Sequence, residues 1–274
     1  VPSVLEQTAE TLALQSRAIK DFYLSQLESE FLGLQWWGAD SIPIWKSKSV
    51  PLVREAQLLT ADLANTFIDL QFQEMFGDDY DTSYPSYDLV TGPAIRNGVS
   101  IDDVYSRTFK PVWEGIGAGQ TEDEAVRHGL SRLESMFSLD IERVIDHTAI
   151  ERFANDNRII GHRRVLNGSH NCALCILAST QLYHKKSLKP IHPRCKCKVL
   201  PVLPSDDVDA VLSKELVDQV HASIKDRFGI SDPSGRQIDY RHLVLVRNHG
   251  EYGPVLTLRE YNFTGPSALK TPGE

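Results

Sequence analysis

The sequence predicts a mainly α-helical chain that carries a small α+β module and ends in a β-hairpin region. Three observations predict it. Apolar residues recur at helical spacing through most of the first 156 positions, two runs near the C-terminus alternate or concentrate β-formers, and all four cysteines fall between positions 172 and 197. Such clustering of cysteines suits a zinc-stabilised module. Cys172-Ala-Leu-Cys175 is followed, sixteen residues on, by His192-Pro-Arg-Cys195-Lys-Cys197.

A CxxC turn brings two sulfurs to one point, and a second pair returning from a loop completes the tetrahedron that zinc accepts in structural sites. His192 and Cys195 can form that second pair. Cys195 and Cys197 share one face of an extended strand, with Lys196 opposite. Five candidates thus compete for four positions. Either Cys172, Cys175 and His192 act with one of Cys195 and Cys197, or all four cysteines ligate and His192 supports them. Two disulfides or a metal-free thiol cluster are the alternatives. No secretory leader pattern opens the sequence, and a chain of 274 residues can build a core without staples, so zinc is the stronger expectation.

The helices are taken in order. Residues 4–34 carry Leu5, Leu12, Ile19, Phe22, Leu27 and Phe31 on a rough stripe. Trp36, Trp37 and Trp45 follow closely, a density that anchors a core or a protein interface. A second helix is expected over 50–76, with Pro51 in its first turn and a stripe of Leu52, Ala56, Leu59, Leu63, Phe67 and Leu70. Gly77 ends it. Residues 78–98 read as an irregular connection whose tyrosines pack and hydrogen-bond. Ser100 caps a third helix carrying Val104, Phe109 and Trp113, kinked at Pro111. Gly115-Ile-Gly-Ala-Gly119 lacks the lysine and the preceding strand of a phosphate loop and reads as a turn. Thr121 and Glu124 form a capping box that opens a helix over 122–138, followed by another over 139–156. His128 and His147 read as ordinary helix-surface or interface residues.

Short strands or turns are expected around Gly161–Arg164, and 198–203 as an extended segment. Asn167-Gly168 signals a turn, and Leu182, Leu188 and Pro190 can pack around the metal loop. An acidic amphipathic helix is expected over 206–228. Strands at 242–247 and 255–258 flank the turn 248–253, and a polar arm closes the sequence. The expected division is a helical docking region at 1–124, the zinc module at 125–204, and a helix with hairpin and arm at 205–274.

Charge is segregated. Residues 152–200 hold ten Lys/Arg and one acid, Asp156, a local charge of +9 that leaves −17 for the rest of a chain with formal net charge −8. An acidic chain does not simply coat DNA. The basic module can face phosphate or an acidic protein surface through Arg163, Arg164, Lys185, Lys186 and Lys196. It can equally dock on the acidic remainder of its own chain.

Catalytic patterns are poor. His249-Gly-Glu251 matches the His-x-Glu of zinc deaminases but follows the cysteines, and no proline precedes Cys172. Neither HExxH nor Gly-x-Ser-x-Gly occurs. His162, His170 and His184 are the histidines available to a metal nuclease.

Helices leading to 152–161, then Cys172-x-x-Cys175, Pro190-Ile-His-Pro-Arg-Cys-Lys-Cys197 and Pro201 resemble the minor head protein domain of tailed bacteriophages, the MuF or phage head morphogenesis family. The resemblance covers about residues 125–203, with Lys196 in place of the usual arginine and Asn167–Asn171 in place of the usual tryptophan or acid before the CxxC. It implies a non-enzymatic minor capsid protein, made in the bacterial host cytoplasm and placed inside the virion near the portal vertex. Its implied partners are the portal protein and, further, packaged double-stranded DNA or the major capsid protein, with roles in head assembly and DNA ejection. No membrane association is expected. A zinc-dependent nucleic-acid-processing enzyme and a cellular zinc-binding adaptor are the competing readings.

Overall fold

The computed structural model describes residues 3–38, 40–166, 173–179, 182–184, 197–206, 222 and 244–259. Helices dominate. α1 (Val4–Leu32) opens with a capping box in which Ser3 and Glu6 satisfy each other's backbone N–H. Its buried face is Ala9, Leu12, Ala13, Ser16, Tyr23, Leu24, Leu27 and Phe31. Phe22, expected on that stripe, is exposed.

α2 (Ser41–Phe76) begins nine residues before the expected start and carries Pro51 inside it. The proline forgoes one backbone bond, and the packing of the long helix on α1 and α6 outweighs that local cost. Its inward face is smaller and more polar than the leucine stripe suggests. Ala56, Gln57, Thr60, Ala61, Ala64 and Asn65 are buried, whereas Leu59 and Leu70 are exposed. Small residues there allow close approach between helices. Gly77 ends α2 at φ +63°, a conformation that suits glycine.

The connection contains a short α3 (Tyr87–Val90) and a 3-10 turn, Gly92–Arg96. Its tyrosines do hydrogen-bond: Tyr84 donates to Asp69 and Tyr87 to Asp62, each at 2.7 Å. Ser100 caps α4 (Ile101–Ser106), accepting from the Asp103 N–H at 3.0 Å. The chain then breaks at Arg107–Thr108, and Pro111 sits in the first turn of a separate α5 (Phe109–Gly117) rather than kinking one helix.

The Thr121–Glu124 capping box opens α6 (Glu122–Asn155) as read, but α6 is one helix of 34 residues, not two. No glycine or proline interrupts it near residue 138, and Asp140, an unlikely core residue by itself, is matched there by Arg96. α6 packs against α1, α2 and α5 and reaches the sheet. The principal core joins these helices through Phe31, Trp36, Trp45, Phe109, Leu133 and Phe137. Trp45 donates its indole N–H to the Tyr105 carbonyl at 3.0 Å.

After α6, β1 (Gly161–Val165) is the middle strand of an antiparallel sheet, between β2 (Leu182–His184) and β3 (Lys198–Val202). Gly161 is required there, since a Cβ would collide with the Tyr183 carbonyl oxygen. A short α7 (Ala173–Ser179), about two turns long, precedes β2. The C-terminal hairpin pairs β4 (Val244–His249) with β5 (Gly253–Leu258). The expected helix at 206–228, the polar arm, the Asn167-Gly168 turn, and Leu188 and Pro190 lie outside the described residues. Among the described residues no helix is long and apolar enough to cross a membrane.

Candidate functional site

The two cysteine motifs meet. Cys175 comes from α7 and Cys197 from the residue before β3, and both are buried in one small cluster with Leu174, Ala178 and Leu256. Leu256 belongs to β5, so the hairpin helps cover the thiols. The alternation of β1 turns Arg164 inward beneath them. Its Nη1 lies 3.3 Å from the Cys197 sulfur, its Nη2 3.6 Å from Asp146, and its guanidinium 5.7 Å from the Tyr183 ring centroid. A guanidinium beside a sulfur favours the thiolate, the form that ligates metals.

Beside this cluster, Lys198 reaches Glu142 at 2.6 Å. Burial pushes the carboxyls of Asp146 and Glu142 up, while Arg164 and Lys198 respectively pull them back down. Tyr183 donates its hydroxyl to the Ala178 carbonyl at 3.0 Å, tying β2 to α7. On its other side Tyr183 stacks on His162, with ring centroids 5.7 Å apart and planes 3° from parallel.

As a test of zinc, the described residues supply two soft thiol donors, one from each motif. Cys172, His192 and Cys195 lie outside the described residues, and among those described no group of three or more His, Cys, Asp or Glu is placed to hold a metal. Two buried thiols by themselves do not make a zinc centre, so the described residues do not show one.

The basic residues behave differently from the expectation of a free nucleic-acid surface. Arg164 is buried and engaged by Asp146 and Cys197, which removes it from any external contact. Arg163 pairs with Glu6 of α1 at 3.4 Å, Arg152 with Asp69 of α2 at 2.6 Å, and Arg158 with Asp156 at 2.6 Å and Asp79 at 3.2 Å. Half of the ten cations of the basic stretch are therefore matched within the chain. Lys185, Lys186 and Lys196 lie outside the described residues. The tryptophans also divide. Trp36 and Trp45 are core residues, packed tilted and edge-on against Phe31, which takes them out of an interface role, while Trp37 is 71% exposed.

His249-Gly-Glu251 occupies the hairpin tip. Glu251 is buried, and its Oε1 receives Arg107 at 3.3 Å and Arg132 at 2.6 Å. These two ion pairs tie the hairpin tip to the helical body. Tyr252 beside it donates within 3.3 Å to the Met136 carbonyl and Asp140. Asp140 also receives Arg96 and, at 2.9 Å, the Tyr105 hydroxyl. Sequence reasoning missed this network because its members are 35 to 112 positions apart. The one local signal was Asp140, an acid set between Leu139 and Ile141.

No protein-family model, curated protein or solved structure matches the chain.

Proposed function

We propose that this chain is a non-catalytic structural protein of a tailed-phage head, placed inside the capsid near the portal vertex. The observation that carries the reading is the convergence of Cys175 and Cys197, one from each of the two motifs on which the resemblance rests, in a single buried cluster. A buried thiol pair under a covering hairpin suits a cross-linking centre better than an open catalytic one. Zn2+ is the proposed ion, held by Cys172, Cys175 and ligands from 192–197. When bound it would join the CxxC segment to the strand entering β3, and its binding free energy would be folding free energy.

The helical body is the proposed docking surface for the portal protein. α1 and the turn after it leave Leu14, Phe22, Leu32 and Trp37 exposed, apolar side chains available to a protein partner. Packaged double-stranded DNA or the major capsid protein would be met by Lys185, Lys186 and Lys196, with Arg163 the more accessible of the two β1 arginines.

The test is a cryo-EM reconstruction of assembled heads around the portal vertex, with metal analysis of the purified chain. Internal density at the portal and about one zinc per chain are expected. Density confined to the outer shell, or absence of the chain from purified virions, overturns the placement. Absence of metal together with two mapped disulfides overturns the zinc centre.

A further inference from the structure

The hairpin tip and α6 enclose a cleft of about 400 Å³ on the face of the helical body. That volume lies in the range of small-molecule sites. One wall is a polar stripe of α6: His128, Ser131, Arg132 and Ser135 follow at spacings of three and four, so they stand on one helix face. The other wall is His249 and Glu251 of the hairpin tip, and Met136 and Leu139 supply an apolar floor.

The polar lining is rich in donors, and Arg107, behind the lining, adds a second cation to the Arg132–Glu251 pair. One carboxylate, Glu251, is shared by two guanidiniums, Arg107 and Arg132, which leaves one positive charge uncompensated in that group. Arg132 remains 29% exposed, and its buried Nε has no hydrogen-bond partner among the described residues. His249 accepts the Glu251 backbone N–H at Nδ1, at 3.1 Å, so in its neutral form the ring proton sits on Nε2, a donor. The hydroxyls of Ser131 and Ser135 and the imidazole of His128 add further donors. An unpartnered guanidinium nitrogen and a donor-rich wall, backed by an ion-pair group of two guanidiniums and one carboxylate, are features that hold an oxyanion.

We propose that this cleft binds a small organic anion, with its carboxylate or phosphate head on Arg132, Ser131 and His128 and its apolar body on Met136 and Leu139.

Isothermal titration of the full chain with phenyl phosphate, benzoate and neutral benzamide tests it. At least one anion should bind saturably at concentrations up to ~5 mM, with benzamide inert. Whichever anion binds more tightly identifies the head group. Ser131→Asp sets a like charge at the exposed mouth without touching Glu251, and should weaken binding by about tenfold or more. Ser25→Asp, an exposed site on α1, should leave affinity unchanged. The proposal is overturned by no saturable binding of either anion, by equal binding of benzamide, or by equal affinities in wild type and Ser131→Asp. It is also overturned if Ser25→Asp weakens binding as much as Ser131→Asp, which would mark adsorption to the overall charge. Matching thermal melts of both variants and wild type separate a lost site from a lost fold.

Discussion

His162 offers a sharp test of how the sheet is packed against α6. Its side chain is 1% exposed, between Tyr183 on one side and Phe153 on the other, and neither ring nitrogen has a hydrogen-bond partner among the described residues. Burial, with Arg164 and His184 nearby, pushes its imidazole down from 6.5 to about 4. The unfolded chain therefore takes up this proton more readily than the folded one. Stability from neutral His162 is fully present above pH 6.5 and is lost as pH falls from 6.5 toward 4. At ~1.4 kcal/mol per pKa unit the full loss is about 3 kcal/mol, of which about 2 kcal/mol falls between pH 7.5 and pH 5. His147, also pushed down to about 4 by burial and Arg143, tilts the wild-type curve the same way, so a difference measurement is needed. His162→Phe keeps a flat ring against Tyr183 and removes both nitrogens. Urea unfolding should find it at least as stable as wild type at pH 7.5, because an unsatisfied buried polar group costs about 1–3 kcal/mol. At pH 5 its advantage should grow by about 2 kcal/mol. Parallel wild-type and variant curves from pH 7.5 to 5 would refute the buried, neutral imidazole.

Three further outcomes follow from other parts of the fold. Asp140→Asn removes the charge that faces Arg96, both side chains being fully buried, and should cost about 3–5 kcal/mol in chemical denaturation; a loss under 1 kcal/mol would mean that Arg96 finds another counter-charge. Gly129→Ala places a Cβ 2.7 Å from Val112 Cγ2 and 3.0 Å from the Phe31 ring, so thermal unfolding should show a destabilisation of about 1–3 kcal/mol, and an unchanged melt would show that α5 gives way freely. Arg164→Ala should lower folding stability while leaving the salt dependence of any DNA association unaltered, whereas Lys185→Ala with Lys186→Ala should flatten that dependence; a salt-series binding assay that shows the reverse assigns the phosphate contact to β1.

Local signals in this sequence were read well where the chemistry is local. The Thr121–Glu124 box, the Ser100 cap, the Gly77 stop and the hairpin around 248–253 each depend on residues within a few positions of one another. Breaks were harder. Pro51 stops an isolated helix but not one clamped between α1 and α6, and α6 runs on through the expected 138/139 boundary past the buried Asp140. Its partner Arg96 lies 44 positions earlier, and no periodicity announces it. The inward face of α2 went astray for a related reason. Leucine marks burial on average, yet close helix packing selects alanine and threonine at the contact and pushes Leu59 and Leu70 outward. In the candidate site the arginine beside Cys197 was not legible in the sequence, because only the β1–β3 register brings position 164 close to position 197.

The segregation of charge acquires a physical meaning once those pairs are placed. α6 carries Asp140, Glu142 and Asp146 within two turns, and each meets a cation from a different part of the chain: Arg96 of the 3-10 turn, Lys198 of β3 and Arg164 of β1. Buried ion pairs of this kind add little net stability against apolar replacements, because desolvation offsets most of the attraction. They do penalise every arrangement that leaves one member alone. Swinging the sheet away from α6 would part Lys198 and Arg164 from Glu142 and Asp146, and lifting the hairpin would take Glu251 away from Arg107 and Arg132. The acidic excess of the helical body is thus partly the counter-charge of the basic stretch, and it fixes the orientation of the thiol cluster on α6. The β1 arginines are therefore committed to the fold, Arg164 to Asp146 and Arg163 to Glu6.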